Sequence, residues 1–144
     1  MITRLVLKES GATAKATNTP ELVYELIKPI AKQPQEHFVV IPMDTALHPL
    51  GAEVVSIGTI DRTPVSVNVI FKRIFSKKKY ATATTFTAAH NHPSGSLEPS
   101  PDDWQVTKTL IVAGKLLECT LLDSLILSAN GMVSMRRMNS DAFK

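Results

Sequence analysis

A chain of 144 residues can build one hydrophobic core, and 44% hydrophobic against 20% charged residues marks a folded globular protein, not a disordered one. The single cysteine, Cys119, excludes an internal disulfide framework and a cysteine-based zinc site, so any metal must be held by His, Asp or Glu. The net charge of +3 is too modest to mark a dedicated nucleic-acid binder, and no stretch approaches the ~20 apolar residues of a membrane span. The amphipathic start "MITRLVLKESG" is too short in apolar run for a signal peptide, and a reducing, cytoplasmic setting fits the cysteine usage.

"ITRLVLKE" alternates in part and predicts an N-terminal strand, with "SGATAKATN" as loop after it. "TPELVYELIKPIAK" predicts a helix capped by Thr19, with Pro20 at its first position and Glu21 at its positive end. Leu22, Leu26, Ile27 and Ile30 form its apolar stripe, and Pro29 and Pro34 kink or stop it. "HFVVIPMD" (37–44) is a buried strand, "TALHPLG" a turn, and "AEVVSIGTI" (52–60) a second strand antiparallel to the first. In "PVSVNVIFKRIFSKK" Val65, Val67 and Val69 alternate, whereas Ile70, Phe71, Ile74 and Phe75 have helical spacing; the expectation is a helix from about Val67. "YATATTFTAAH" (80–90) predicts a strand ending at His90, and "PDDWQVTKTLIVAGKLL" a helix with Val106, Leu110, Ile111 and Leu117 near one face. "TLLDSLILS" is a strand, "ANG" a hairpin turn and "MVSMRRM" the partner strand. No linker or repeat divides the chain, so one domain is expected over 1–144, with residues 1–18 ahead of a core of about 19–138. The fold class is α+β or mixed α/β.

The chemistry concentrates in "AAHNHPSGSLEPSPDDW". On a strand, residues i and i+2 face one side, so His90 and His92 project together and can share an ion if the strand persists. Ser100 before Pro101 is a good helix N-cap, and Asp103 can reach back to complete a capping box. That accounts for "SPDD" without a metal but leaves the two histidines and the Pro-Ser-Gly turn unexplained. A carboxylate in the first helical turn can also face a site at a strand end. Asp102 and Asp103 point about 100° apart, so one of them faces the histidines, and local physics does not choose which.

"HNHPSGSLEPSPDD" resembles the signature of the JAB/MPN metalloprotease superfamily, His-x-His followed after seven residues by Ser-x-x-Asp. "HNHPSG" is similar to the RadC-like branch in particular, as are "EHFVVIPMD", "VSIGTI", "FKRIF", "TKTLIVAGKLL" and "LLDSLIL" in that order. The resemblance covers roughly residues 35–135 and implies a cytidine-deaminase-like three-layer sandwich, its central mixed, largely antiparallel sheet flanked by helices. It favours Asp103 over Asp102 and implies a zinc ion on His90, His92 and Asp103, with water in the fourth position. It also implies a general base ahead of the first core strand, where Glu36 stands; Glu53 and Glu98 are the fallback candidates. The implied reaction is peptide or isopeptide hydrolysis of an extended tail. In it Glu36 takes the proton of zinc-activated water, and the Ser100 hydroxyl helps stabilise the oxyanion.

Three positions depart from that branch. Ser66, Val67, Asn68 and Val69 replace its common His-Pro-Arg-Glu, Ser124 stands where it carries a His, and Ser96 where it carries an acid. None is an implied zinc ligand; they bear on the surrounding shell and on substrate choice. The chain also lacks room for the N-terminal helical domain of full-length RadC-like proteins, so a stand-alone domain or a fragment is expected. His37 and His48 read as non-ligands, Trp104 as packed against the sheet, and Cys119 as buried. Asp123 reads equally as a buried structural acid or as support for a ligand histidine. Two rival functions remain: a nucleic-acid-binding module of DNA repair or mobile-element defence, using the basic "KRIFSKKK", and a zinc-stabilised non-catalytic domain that docks a protein partner.

Overall fold

The computed structural model describes residues 1–58 and 66–144. Within them lie five strands, β1 (His37–Met43), β2 (Glu53–Ile57), β3 (Thr85–Asn91), β4 (Thr120–Ser128) and β5 (Gly131–Ser134), and four α-helices, α1 (Pro20–Ile27), α2 (Val67–Phe75), α3 (Pro101–Leu116) and α4 (Met135–Met138). The strands form one sheet in the order β2-β1-β3-β4-β5. Three neighbouring pairs are antiparallel, and β3 and β4 are parallel, joined through α3 as a parallel pair requires. The mixed α+β class and the largely antiparallel sheet are as expected.

Period-two alternation sorts the core onto two faces. Phe38, Val40, Phe86, Ala88 and Ile126 pack with Ile70 and Ile74 of α2 and Leu110 and Ile111 of α3. Val39, Ile41, Ala89, Leu125 and Leu127 pack with Val23 and Ile27 of α1. Helices therefore cover both faces, and every residue of β1 is buried, which explains its unbroken apolar run. Pro42 pairs with Phe86 of β3, but its carbonyl turns to the other edge, where it accepts from the Leu50 N–H, so its missing N–H faces a side on which the β2 ladder has already ended at Val40. Gly114 lets α3 press on the start of β4: a Cβ there would stand 2.5 Å from the Cys119 carbonyl oxygen.

Several local expectations need correction. Among the described residues, 2–7 pair with no strand; Ile2, Leu5 and Leu7 instead pack against the α1-side core, so alternation there reflects packing without a ladder. α1 does start at Pro20, with Thr19 Oγ1 accepting from the Leu22 N–H at 3.3 Å, but its buried residues are Val23 and Ile27, with Leu22 and Leu26 half-buried and Ile30 buried in the 3-10 turn that follows. β3 begins at Thr85, not at Tyr80, because Tyr80 closes a 3-10 turn and buries its ring in the core. On α3 the buried positions are Thr107, Leu110, Ile111 and Gly114, whereas Leu117 follows the helix and is exposed. Finally, "MRRM" does not extend β5; Ser134 caps it as the short helix α4, its hydroxyl accepting from the Arg137 N–H. Thr59 and Ile60, expected at the end of the second strand, and Val65, which alternates with Val67 and Val69, lie outside the described residues. No helix among the described residues is long and apolar enough to cross a membrane.

Candidate metal centre

β3 delivers His90 on the α2–α3 face, and its ladder runs one step further: the His92 N–H donates to the Leu127 carbonyl at 2.8 Å. That step keeps His92 on the same side as His90, with ring centroids 5.0 Å apart. Phe38 on β1, the partner of His90 in the antiparallel ladder, stacks on the His90 ring with centroids 5.8 Å apart and fixes its plane. Opposite them α3 begins with both halves of a capping box. The Ser100 hydroxyl accepts from the Asp103 N–H at 3.0 Å, and Asp103 Oδ2 accepts from the Ser100 N–H at 2.8 Å. The cap holds the Asp103 carboxylate at the positive end of the helix and aims it at the histidines.

The three side chains converge. His90 Nε2 lies 3.1 Å from His92 Nε2 and 3.0 Å from Asp103 Oδ1, and His92 Nε2 lies 3.1 Å from Asp103 Oδ2. His92 Nδ1 donates to the Ser96 carbonyl at 3.0 Å, so in the neutral ring Nε2 carries a lone pair directed at the others. His90 Nδ1 is buried with no hydrogen-bond partner among the described residues. The His92 lone pair faces the Asp103 carboxylate, a repulsion that a cation between them relieves, and His90 Nε2 stands close enough to join it. Ligands at ~2.0–2.1 Å from a tetrahedral ion stand ~3.3–3.4 Å apart, close to these separations. The donor set therefore fits a divalent metal, and the ligand atoms all lie within 4.8 Å of one another.

A proton on His92 can take the place of that cation. The hydrogen bond to Asp103 holds the His92 imidazole above its ordinary value, against burial and with help from the charge of Glu36. Burial would raise the Asp103 carboxyl, but its contacts with His90 and His92 and the Ser100 N–H hold it far below the usual carboxylate range.

The trio opens onto a cleft of about 450 Å³ that Glu36, Glu98, Ser100, Asp102 and Ser124 also line. Glu36 is exposed at its rim, on the segment that enters β1. Of the two fallback acids, Glu98 shares the cleft, and Glu53 lies elsewhere, enclosed by Lys77 and Tyr80. Of the departures, Ser96 supplies the carbonyl that orients His92, Ser124 faces the cleft, and Ser66 caps α2. Asp123 does not support a ligand histidine: it sits on the α1 face, where it accepts from Ser134 Oγ at 2.6 Å and from the Arg136 N–H at 3.1 Å. His37 is wholly buried, His48 bonds Asp44 within its turn, Trp104 packs against the core, and burial pushes the Cys119 thiol up to about 11.

Residues 17–140 match the family described as the RadC-like JAB domain. The chain belongs to that family. A UPF0758 protein of Acaryochloris marina, AM1_4368, is 37% identical over 136 residues, covering 94% of this chain and 51% of the relative. A UPF0758 protein of Trichormus variabilis is 40% identical over 108 residues, 75% of this chain and 43% of the relative. A third, TTE0897 of Caldanaerobacter subterraneus, is 29% identical over 133 residues, 92% and 55% of the two chains. The chain spans about half the length of the curated relatives it matches.

Proposed function

We propose that this RadC-like JAB domain is a zinc-dependent hydrolase of peptide or isopeptide bonds, with an extended protein tail as its substrate. The convergence of His90 Nε2, His92 Nε2 and the Asp103 carboxylate at 3.0–3.1 Å beside a cleft carries the proposal. Borderline-soft zinc suits two imidazoles and one carboxylate, and three protein ligands leave the fourth position open, as catalytic zinc sites do. A zinc ion there supplies Lewis acidity and lowers the pKa of water toward ~7.

The chain's own residues do the rest. Glu36, at the rim of the same cleft, accepts a proton from the attacking water and returns it to the leaving amine. Ser100 Oγ already accepts from the Asp103 N–H, which leaves its hydroxyl proton to be donated to the oxygen that becomes negative. A polyanion-docking role for the basic stretch has less support, because Arg73, Lys77 and Lys79 all turn to Glu53. A Glu36→Gln variant tests the reading with a mixture of internally quenched linear peptides. It should bind Zn2+ like the wild type and lose cleavage by about 100-fold or more, the scale of general-base catalysis. Undiminished cleavage would remove Glu36 from the reaction.

A further inference from the structure

We propose that Asn91, the residue between the two metal-facing histidines, is a positioning residue for Glu36. The inference rests on the reading in which Glu36 is the base. Alternation along β3 sends the Asn91 side chain to the face opposite His90 and His92, where it is fully buried. The chain that enters β1 passes there, and Asn91 grips it on both sides of Glu36. Asn91 Oδ1 accepts from the His37 N–H at 2.6 Å. Asn91 Nδ2 donates to the Gln33 carbonyl at 3.1 Å and to the Gln35 carbonyl at 3.0 Å. The amide orientation follows from chemistry, since the flipped form would set NH2 against N–H and oxygen against two carbonyls.

Two further bonds finish the clamp. His37 Nδ1 donates to the Gln35 carbonyl at 2.8 Å, and the Glu36 carbonyl accepts from the Gly58 N–H at 2.7 Å. The backbone around Glu36 is thus tied down while its side chain is exposed at the cleft. One tripeptide does two tasks: its outer residues face the metal position, and its middle residue fixes how far the base stands from it. A geometry error of about 1 Å at a reacting group costs on the order of 10²-fold in rate, so such a clamp has consequences for turnover.

The experiment compares wild type, Asn91→Ala and Asn91→Asp on the full chain. Asp keeps an acceptor for His37 but loses both donors, and it serves if the alanine variant folds poorly. Three quantities are read: Zn2+ affinity by competition with a chelator, amide hydrogen exchange by peptide segment, and kcat and KM on the quenched peptides. The clamp predicts Zn2+ affinity within about threefold of wild type, below the 10–100-fold that loss of a ligand-orienting partner brings. It predicts exchange in segment 33–37 faster by about tenfold or more while β3 and β4 stay protected. It predicts kcat lower by about 10–100-fold with KM nearly unchanged. Unchanged exchange in segment 33–37 overturns it. So does exchange that rises equally across the sheet, which would make Asn91 an ordinary structural residue, or a Zn2+ loss as deep as that of His90→Ala. If wild type cleaves no peptide, the hydrolase reading fails, and exchange with Zn2+ affinity still decides the clamp.

Discussion

Asp103 and Glu53 are carboxylates withdrawn from water, and both are held below the usual carboxylate range, but by different company. Glu53 takes hydrogen bonds from Lys77 Nζ and Tyr80 Oη at 2.5 Å each, with Arg73 and Lys79 at 3.6 Å. Burial alone would raise its pKa; the Lys77 and Tyr80 hydrogen bonds and the charges of Lys77 and Lys79 outweigh it. Every one of those partners brings its own proton at neutral pH, so the group is complete and needs nothing from outside. Asp103 faces His92, whose Nδ1–H is committed to the Ser96 carbonyl, so a neutral His92 offers it a lone pair and an added cation completes the cluster. A displaced pKa therefore does not separate a functional acid from a structural one here, whereas the chemistry of its neighbours does.

The largest effect expected from breaking this contrast is at the histidines. His90→Ala should weaken Zn2+ binding by more than about 100-fold, beyond what loss of an orienting partner does. Competition with a chelator measures it, and retention of tight binding would mean that the ion, if any, sits elsewhere. The counterpart at Glu53 is Tyr80→Phe, which removes a hydrogen bond to a buried charge. It should lower stability by about 1.5–3 kcal/mol in urea unfolding and leave Zn2+ affinity unchanged. Weakened metal binding in that variant would show that the two clusters are coupled.

How much of this was legible beforehand varied with how local the cause is. The α3 start was readable because Ser100, Pro101 and Asp103 determine their own geometry within one turn. The pairing of His90 with His92 followed from strand alternation, although the strand proper stops at Asn91 and His92 is carried by one more ladder bond. The choice of Asp103 over Asp102 needed the family resemblance, because two adjacent helical acids are equivalent until the facing strand is in place. Non-local causes were not readable. Residues 2–7 alternate like a strand but pair with none among the described residues, and Tyr80 reads as strand because nothing nearby announces Glu53, 27 residues earlier in the chain. The role of Asn91 is illegible in sequence for the same reason: its three partners lie 54–58 residues away. The available signal was its position, since a polar residue between two inward-facing histidines has to point into the opposite face and find partners there.

The smallest effect expected is a slope of stability with pH, and its sign differs between the two clusters. In the metal-free protein, the hydrogen bond to Asp103 raises the His92 pKa. A group whose folded pKa is raised contributes fully below its unfolded value, ~6.5 for histidine, and loses that contribution as pH rises through the folded value. Glu53 has a lowered pKa, so its contribution is present above the ordinary glutamate value of ~4.3 and fades as pH falls through the folded one. Thermal melts in chelator should therefore decline as pH climbs from about 6 toward 9, with His92→Gln flattening that decline and Glu53→Gln leaving it intact. Excess Zn2+ should reverse the sign over the same interval, because metal and proton compete for the same Nε2 lone pairs and deprotonation favours the metal. A decline that survives in His92→Gln would place the titrating group somewhere other than His92 and break the correspondence between a proton bound there and the bound ion.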